Sequence, residues 1–298
     1  MRVLITGAGG FTGQHLMPHL TNAGHQVSGL TRTHRPTQPS LHACDLTDAE
    51  TTRAIIQDLQ PQAVIHLAGR AFAAEADTLG YYRHNVIATE NLLNALTLIP
   101  RPKRVLLASS ATVYGHQGLA QLSETLCPKP AGHYGISKLA MEQLGASHQS
   151  RLPIVFTRPF NYTGPGQAEH FLIPKMVAHF QTHQSEIALG NTQVAREFND
   201  IRDVCRWYQA LLEAPALPHT HYNLASGNAI QLHDIIEHLN ALSGYRIRIQ
   251  TDPALQRKND LPVLTGDPSR LETLIDAPLT QHRIHDTLKW MLNQTETT

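Results

Sequence analysis

The stretch Met1-Arg2-Val3-Leu4-Ile5-Thr6-Gly7-Ala8-Gly9-Gly10-Phe11-Thr12-Gly13 decides the fold. Arg2 to Thr6 is a short β-branched and apolar run, which predicts a buried strand. Gly7, Gly10 and Gly13 follow at a G-x-x-G-x-x-G spacing. Gln14 to Asn22 then reads as a helix with apolar Leu16, Met17 and Leu20. Strand, glycine turn and helix form the layout that sets a pyrophosphate at a helix N-terminus. Gly7 allows the sharp turn, Gly10 lets backbone approach the phosphate, and Gly13 lets helix and strand pack closely. The plainer alternative is a glycine-rich turn with no ligand; the flanking strand and helix favour a dinucleotide site.

A chain of 298 residues predicts one or two domains with a sizeable core. Lysine plus arginine, at 24, equals aspartate plus glutamate, so there is no electrostatic case for nucleic acid or an anionic membrane. No apolar run approaches the ~18 residues that span a bilayer. With a strand expected from residue 2, no signal peptide is expected, which points to a cytoplasmic protein. Cys44, Cys127 and Cys205 are far apart and form no C-x-x-C, so all three are expected as reduced, buried thiols. The nearest approach to a metal pattern is His179 with His183, or His15 with His19, each four apart on an expected helix. Neither pair has the glutamate of H-E-x-x-H, so solvated helix faces are expected and no metal.

Further along, Gln26 to Leu30 reads as the second strand, followed by Thr31 and Arg32. A carboxylate near this strand end binds the ribose hydroxyls of NAD. None occurs between His25 and Cys44, while Arg32 could pair with a 2′-phosphate, with Arg35 as a second candidate. NADP(H) is therefore favoured over NAD(H). Leu41 to Cys44 reads as a third strand ending at Asp45-Leu46, where Asp45 either holds the adenine amino group or caps the helix from Asp48 to Leu59. Ala63 to Leu67 reads as a fourth, followed by Ala68-Gly69, where a cofactor could lie against backbone. Asn85 falls inside a long helical pattern, Thr78 to Leu98. It bends that helix, holds a water, or is an inconsequential surface residue.

Val105 to Ser109 reads as a fifth strand and runs into Ser110-Ala111-Thr112-Val113-Tyr114-Gly115, which sets a hydroxyl at a strand C-terminus. Tyr134-Gly135-Ile136-Ser137-Lys138 heads a helix, so Tyr134 and Lys138 share one face. A free tyrosine titrates near ~10, and a nearby ammonium favours its phenolate. Pro153 to Thr157 reads as a sixth strand. Strands alternating with helices imply a Rossmann-type doubly wound parallel sheet, an α/β fold. Arg158-Pro159-Phe160-Asn161 opens a turn-rich segment. The cofactor domain is expected over 1–160, rejoined by parts of 196–226, with a smaller discontinuous α/β substrate-binding domain over 161–298. Glu197 to Asn199 and Arg246 to Ile249 read as short strands, and Tyr222 to Leu224 as a buried strand that rejoins the sheet.

Taken together, Gly7-x-x-Gly10-x-x-Gly13, Asp45-Leu46, His66-Leu67-Ala68-Gly69, Asn85, Ser110-x-x-x-Tyr114-Gly115, Tyr134-x-x-x-Lys138 and Arg158-Pro159-Phe160-Asn161 resemble the extended short-chain dehydrogenase/reductase family, which acts on nucleotide sugars. The resemblance covers nearly the whole chain. It implies an enzyme with Tyr134 as general acid/base, Lys138 on the nicotinamide ribose, Ser110 on the reacting oxygen and Asn85 in the same hydrogen-bond network. It adds Phe11, Thr12, Asp45, Leu46, Leu67, Ala68 and Gly69 to the cofactor contacts. It also implies a homodimer through a four-helix interface built from Thr78–Leu98 and Tyr134–Ser147.

The C-terminal half, with Asn161-x-x-Gly164-Pro165-Gly166-Gln167, Arg196-Glu197-Phe198, Tyr222 to Gly227 and Arg257-x-x-Asp260, is most similar to the GDP-4-keto-6-deoxy-D-mannose reductases. That likeness implies reduction of a C4 ketone to give GDP-D-rhamnose, with Asn161, Arg196, Arg257 and Asp260 on the substrate. Glu197 departs from the aspartate usual there, and Ile275 to Pro278 from the usual Gly-Trp-x-Pro turn. Ala111-Thr112 replaces the Asp-Glu pair of the dehydratases. Two other functions stay open: a nucleotide-sugar 4-epimerase with tightly held NAD, and a catalytically silent NADP-sensing regulator.

Overall fold

The computed structural model describes residues 1–32, 40–71, 77–255 and 261–294. The chain divides into two units: Met1–Gln117 with Glu124–Pro159 and Tyr208–Asn223, and Gly118–Ser123 with Phe160–Trp207 and Leu224–Thr298.

The first unit is built on a sheet of seven strands. In chain order they are β1 (Arg2–Thr6), β2 (Gln26–Thr31), β3 (Leu41–Ala43), β4 (Ala63–His66), β5 (Arg104–Ala108), Ile154–Pro159 and His221–Leu224. Their spatial order is His221–Leu224, Ile154–Pro159, β5, β4, β1, β2, β3. Every pair from Ile154–Pro159 across to β3 is parallel. The central strands are apolar on both faces, as a covered parallel sheet requires: β4 is buried throughout and β1 after its first residue. The chain winds outward in opposite directions from β1 and β4, so the switch point lies between them. There the register pairs Thr6 with both Leu30 and His66. A doubly wound sheet takes its ligand at the C-terminal ends of such strands. The sequence predicts six strands and a returning segment; that segment is the seventh strand, at the sheet edge.

Helices α1 (Phe11–Asn22) and α2 (Ala49–Leu59) follow β1 and β3. The cap of α2 is Asp48, whose Oδ1 accepts the amides of Glu50 and Thr51 at 3.0 and 3.2 Å, so Asp45 is not its cap. Next comes a helical run in three parts: α3 (Thr78–Tyr82), a π-helical turn at Arg83–Ile87, and α4 (Ala88–Leu96). The long helix α5 (Gly132–Ser147) lies close on the sheet. A side chain at Gly145 would come within 2.7 Å of the Phe156 ring, which is why a glycine stands there. Leu4, Val64, Val105, Leu107 and Phe156 from the strands pack with Ile56, Leu92, Leu96 and Met141 from the helices. Each of the larger buried side chains contributes roughly 2 kcal/mol.

The second unit has a four-stranded sheet in the order Ala229–Gln231, Ala195–Glu197, Val263–Gly266, Gln121–Leu122, with its first pair antiparallel and the others parallel. Two small parallel pairs accompany it, Asn199–Asp200 with Tyr162–Thr163 and Arg248–Thr251 with Glu186–Leu189. Helices Leu172–Gln181, Leu232–Ser243 and Ile284–Leu292 close a separate core around Met176, Ile187, Ile235, Leu239 and Leu288.

Two expectations change. Cys44 and Cys205 are buried free thiols, but Cys127 is exposed, because it lies in the loop before α5. His179 and His183 do not share a helix: the helix ends at Gln181 and His183 turns with φ 53°. Among the described residues no group of side chains is arranged to hold a metal ion, and no helix is long and apolar enough to cross a membrane.

Candidate active site

The glycine turn leaves β1 at the switch point. Gly7 takes φ 69°, and a side chain on it would strike the backbone of Ala68 at 2.7 Å. A side chain on Gly13 would strike Ala8 and the Gly7 carbonyl at 2.6 Å. Gly10 differs: a Cβ there would approach only the Gly7 carbonyl, at 3.2 Å, and Gly10 is the N-cap of α1 without any side-chain cap. The first and third glycines are thus required by packing, while the second keeps clear the space in front of a helix N-terminus. This cradle fits the pyrophosphate of a dinucleotide. Phe11 and Thr12 open the helix, and Thr12 is buried. Arg32 is exposed just beyond β2, and Asp45 lies just beyond β3. Asp45 accepts from the amide and hydroxyl of Thr47 at 3.0 and 2.8 Å. Those bonds, with the charges of His84 and Arg32, hold its carboxyl below the usual range. Leu46 is buried, and its carbonyl accepts from Asn91 Nδ2 at 2.9 Å. Leu67, Ala68 and Gly69 follow β4 at the same sheet edge.

Beside this cradle Lys138 and Asn85 meet around Gly69, while Ser110 follows the end of β5 and Tyr134 precedes Lys138 on α5. Lys138, buried on α5, donates to the carbonyl of Ala108 at 2.8 Å, the last residue of β5. Burial pushes its ammonium down to about 8, against the charge of Glu142 one turn along the helix. Asn85 is wholly buried in the π-helical turn. Its Oδ1 accepts the Arg70 amide at 2.8 Å, and its Nδ2 donates to Ser137 Oγ at 2.9 Å. Ser137 Oγ donates in turn to the Tyr134 carbonyl at 2.8 Å. Gly69 fits beneath: a Cβ there would lie 2.6 Å from Asn85 Oδ1 and 3.3 Å from Lys138 Nζ. Ser110 is buried two residues beyond β5, and its Oγ accepts from the amide and hydroxyl of Thr112 at 3.2 and 3.0 Å. Tyr134 is half-buried one turn before Lys138, its ring tilted against that of Tyr81 at 6.1 Å between centroids. Such a cluster can pass a proton to and from an oxygen held at the strand ends.

Sequence reasoning missed the support of this cluster. Ser137 links Asn85 to α5. Glu142 accepts Arg158 Nε and Nη2 at 2.9 and 2.7 Å, both residues buried. The Arg158 guanidinium also lies over the Tyr114 ring, 4.9 Å from its centroid. Tyr134, Lys138 and Glu142 follow at intervals of four, so the helical spacing was the available signal.

In the second unit Asn161 is exposed, and its carbonyl accepts the Asn199 amide at 2.9 Å. Arg196 is half-buried, with Nη1 donating to the carbonyls of Ala195 and Leu261 at 2.7 and 2.9 Å. Glu197 is buried at the centre of its sheet. Burial raises its carboxyl, while Asn199 Nδ2 at 2.8 Å, the Gly266 amide at 3.0 Å and the Ser226 amide donate to it. Arg35, Arg257 and Asp260 lie outside the described residues.

Comparison with known proteins agrees with this geometry. Residues 3–225 match the model of the NAD dependent epimerase/dehydratase family. The chain is 32% identical over 272 residues to the GDP-6-deoxy-D-talose 4-dehydrogenase of Aggregatibacter actinomycetemcomitans, covering 91% of this chain and 90% of that protein. It is 33% identical over 307 residues to the GDP-6-deoxy-D-mannose reductase of Pseudomonas aeruginosa, covering 97% and 91%. UDP-glucose 4-epimerases match as well: that of Neisseria meningitidis serogroup C is 27% identical, covering 98% of this chain and 97% of that protein, and that of Azospirillum brasilense is 34% identical over a shorter stretch of 179 residues. Among solved structures, RMD from Pseudomonas aeruginosa complexed with NADPH superposes with a TM-score of 0.81 at 30% identity, covering 98% of this chain and 96% of that one. The chain therefore belongs to the NAD dependent epimerase/dehydratase family, and is an enzyme of the extended short-chain dehydrogenase/reductase type that works with a nicotinamide cofactor.

Proposed function

We propose that this protein uses NADPH to reduce the C4 ketone of a 4-keto-6-deoxy nucleotide sugar, converting GDP-4-keto-6-deoxy-D-mannose to GDP-D-rhamnose. One observation carries the reading. Ser110 Oγ accepts both the amide and the hydroxyl of Thr112, so its own proton is directed to a third group. That suits a reacting carbonyl oxygen. Positions 111 and 112 are alanine and threonine, so neither can act as a carboxylate acid or base for dehydration. The two GDP-sugar relatives support the substrate. D-Talose and D-mannose differ only in configuration at C4, so their GDP-6-deoxy forms share one C4 ketone.

In this reading the bound nicotinamide supplies hydride to C4. Tyr134 Oη gives a proton to the developing oxyanion, Ser110 hydrogen-bonds the same oxygen, and the Lys138 ammonium stabilises the phenolate left behind. Asn85 holds α5 in place through Ser137. Gly7, Gly10, Phe11, Thr12, Gly13, Asp45, Leu46, Leu67, Ala68 and Gly69 line the cofactor, and exposed Arg32 takes the 2′-phosphate of NADPH. Asn161, Arg196, Arg257 and Asp260 contact the nucleotide sugar. Leu79, Ile87 and Ile136, on α3, the π-helical turn and α5, are large apolar side chains at 77%, 52% and 41% exposure. They support a homodimer through these helices, to be read from the mass in solution.

A 4-epimerase is the second reading, favoured by the epimerase relatives. It returns its cofactor to the starting state each cycle. The test is to supply GDP-4-keto-6-deoxy-D-mannose with NADPH, and UDP-glucose in a parallel reaction, and to measure both product and cofactor. One NADPH oxidised per GDP-6-deoxyhexose formed is expected. Interconversion of UDP-sugars with no net oxidation of NADPH would replace this reading with the epimerase.

A further inference from the structure

Thr6, His66, Thr89 and Asn85 are all buried and hydrogen-bonded in series. The direction of each bond follows from which atoms can donate. Thr89 Oγ1 lies 2.8 Å from the carbonyl of Asn85, which can only accept, so the single proton of Thr89 goes there. At its 2.9 Å contact with His66 Nε2, Thr89 must then accept, and Nε2 carries hydrogen. His66 is neutral, because burial first and the Lys138 charge second push it down to about 3. Its Nδ1 is therefore bare and accepts from Thr6 Oγ1 at 2.7 Å. Thr6 in turn accepts the Ala68 amide at 3.2 Å.

The two ends of this series belong to two parts of the site. Thr6 is the last residue of β1, and Ala68 is the backbone against which Gly7 packs. Asn85 lies in the π-helical turn, where the Ala88 amide donates to Arg83 five residues back. Such turns are rare inside helices and are frequent at functional sites. From Asn85 the series continues through Ser137 to the carbonyl of Tyr134. We infer that His66 is a positioning residue. As its Nε2–H tautomer it ties the start of the glycine turn to the π-helical turn. Through Asn85 and Ser137 it then fixes the backbone of Tyr134, so that cofactor cradle and proton donor keep one register. An apolar side chain at 66 would fill the same core without this link.

The kinetic part of the test rests on the ketoreductase reading; the spectroscopic part does not. Thr89→Val keeps the side-chain shape and removes the hydroxyl, and Thr89→Ser restores it. With NADPH and GDP-4-keto-6-deoxy-D-mannose, Thr89→Val is expected to lose at least about tenfold in kcat, the scale of a misplaced reacting group. Its NADPH affinity, read by fluorescence, should stay within about twofold, and Thr89→Ser should recover most of the loss. In parallel, ¹⁵N-histidine spectra of the wild type, with His66 assigned by its disappearance in His66→Gln, should give an Nε2–H imidazole that does not titrate between about pH 5.5 and 8. Thr89→Val as fast as an active wild type, or a His66 that titrates or carries its proton on Nδ1, overturns the inference. A wild type that oxidises no NADPH sinks the ketoreductase reading instead, and the spectra then decide the inference alone.

Discussion

Lys138 Nζ donates to the carbonyl of Ala108 at 2.8 Å, which fixes a buried ammonium on the residue that precedes the hydroxyl-bearing Ser110 by two positions. Burial holds that ammonium down to about 8 from 10.5. Reduction needs the charged form in the proposed mechanism, so kcat/KM should fall as pH rises through about 8. A ketone-reduction profile flat to about pH 10 would remove Lys138 from the chemistry.

The same shift makes a stability prediction. Between about 8 and 10.5 the unfolded chain binds the lysine proton and the folded one does not, so this group's contribution to stability rises with pH across that window. Below it, the charge costs the fold on the order of 3 kcal/mol. Lys138→Met relieves that cost and loses one charge-assisted hydrogen bond worth about 1.5–3 kcal/mol, so the variant should melt no lower than wild type at neutral pH. Turnover should vanish. A lower Tm contradicts the assignment.

The glycines separate packing from binding. Gly7→Ala meets both a positive φ and a clash with Ala68, and should destabilise by about 2 kcal/mol or more. Gly10→Ala meets only the Gly7 carbonyl at 3.2 Å and should fold normally while losing NADPH affinity. Calorimetry beside cofactor titration distinguishes the two; normal cofactor binding by Gly10→Ala would move the pyrophosphate elsewhere.

The buried Glu142–Arg158 pair should behave as one unit. Burial raises the Glu142 carboxyl, but the hydrogen bonds and charge of Arg158, with His221 assisting, outweigh it and hold the group at about 2. Its stabilisation is therefore present above 4.5 and lost as pH falls from there toward 2. Glu142→Gln should cost about 3–5 kcal/mol by stranding the arginine. Adding Arg158→Met should recover part of that, and urea titrations of the four proteins measure the coupling.

Arg32 sets the cofactor preference in this account. Arg32→Ala should weaken NADPH by about tenfold, the worth of a hydrogen bond to a charged group, and leave NADH unchanged. Equal effects on both cofactors would mean that another group reads the 2′-phosphate.

Much of this was legible because it is written in local spacing. The glycine turn, the four-residue step from Tyr134 to Lys138 and the strand that ends before Ser110 each follow from the period of a helix or a strand. From its own position Asn85 was legible only as a question, and the resemblance alone set it in the hydrogen-bond network, since a π-helical turn adds one residue to a helix without altering its apolar pattern enough to be seen. His66 stood in a quoted motif without a task, because its partners Thr6 and Thr89 lie 60 and 23 residues away. Glu197 looked like a departure from pattern; its carboxyl is buried and held by Asn199, Ser226 and Gly266, and the last of these ends a strand, Val263–Gly266, that the sequence did not reveal. Cys127 was misjudged because cysteine is usually buried, whereas its loop is not.

The most direct test of the account is Tyr134→Phe, mixed with NADPH and GDP-4-keto-6-deoxy-D-mannose in excess and followed by NADPH absorbance and sugar product. NADPH binding like that of the wild type is expected, with a loss of turnover of about a hundredfold or more. Reduction at the wild-type rate by the phenylalanine variant would contradict it, because no other group at the strand ends is assigned the proton.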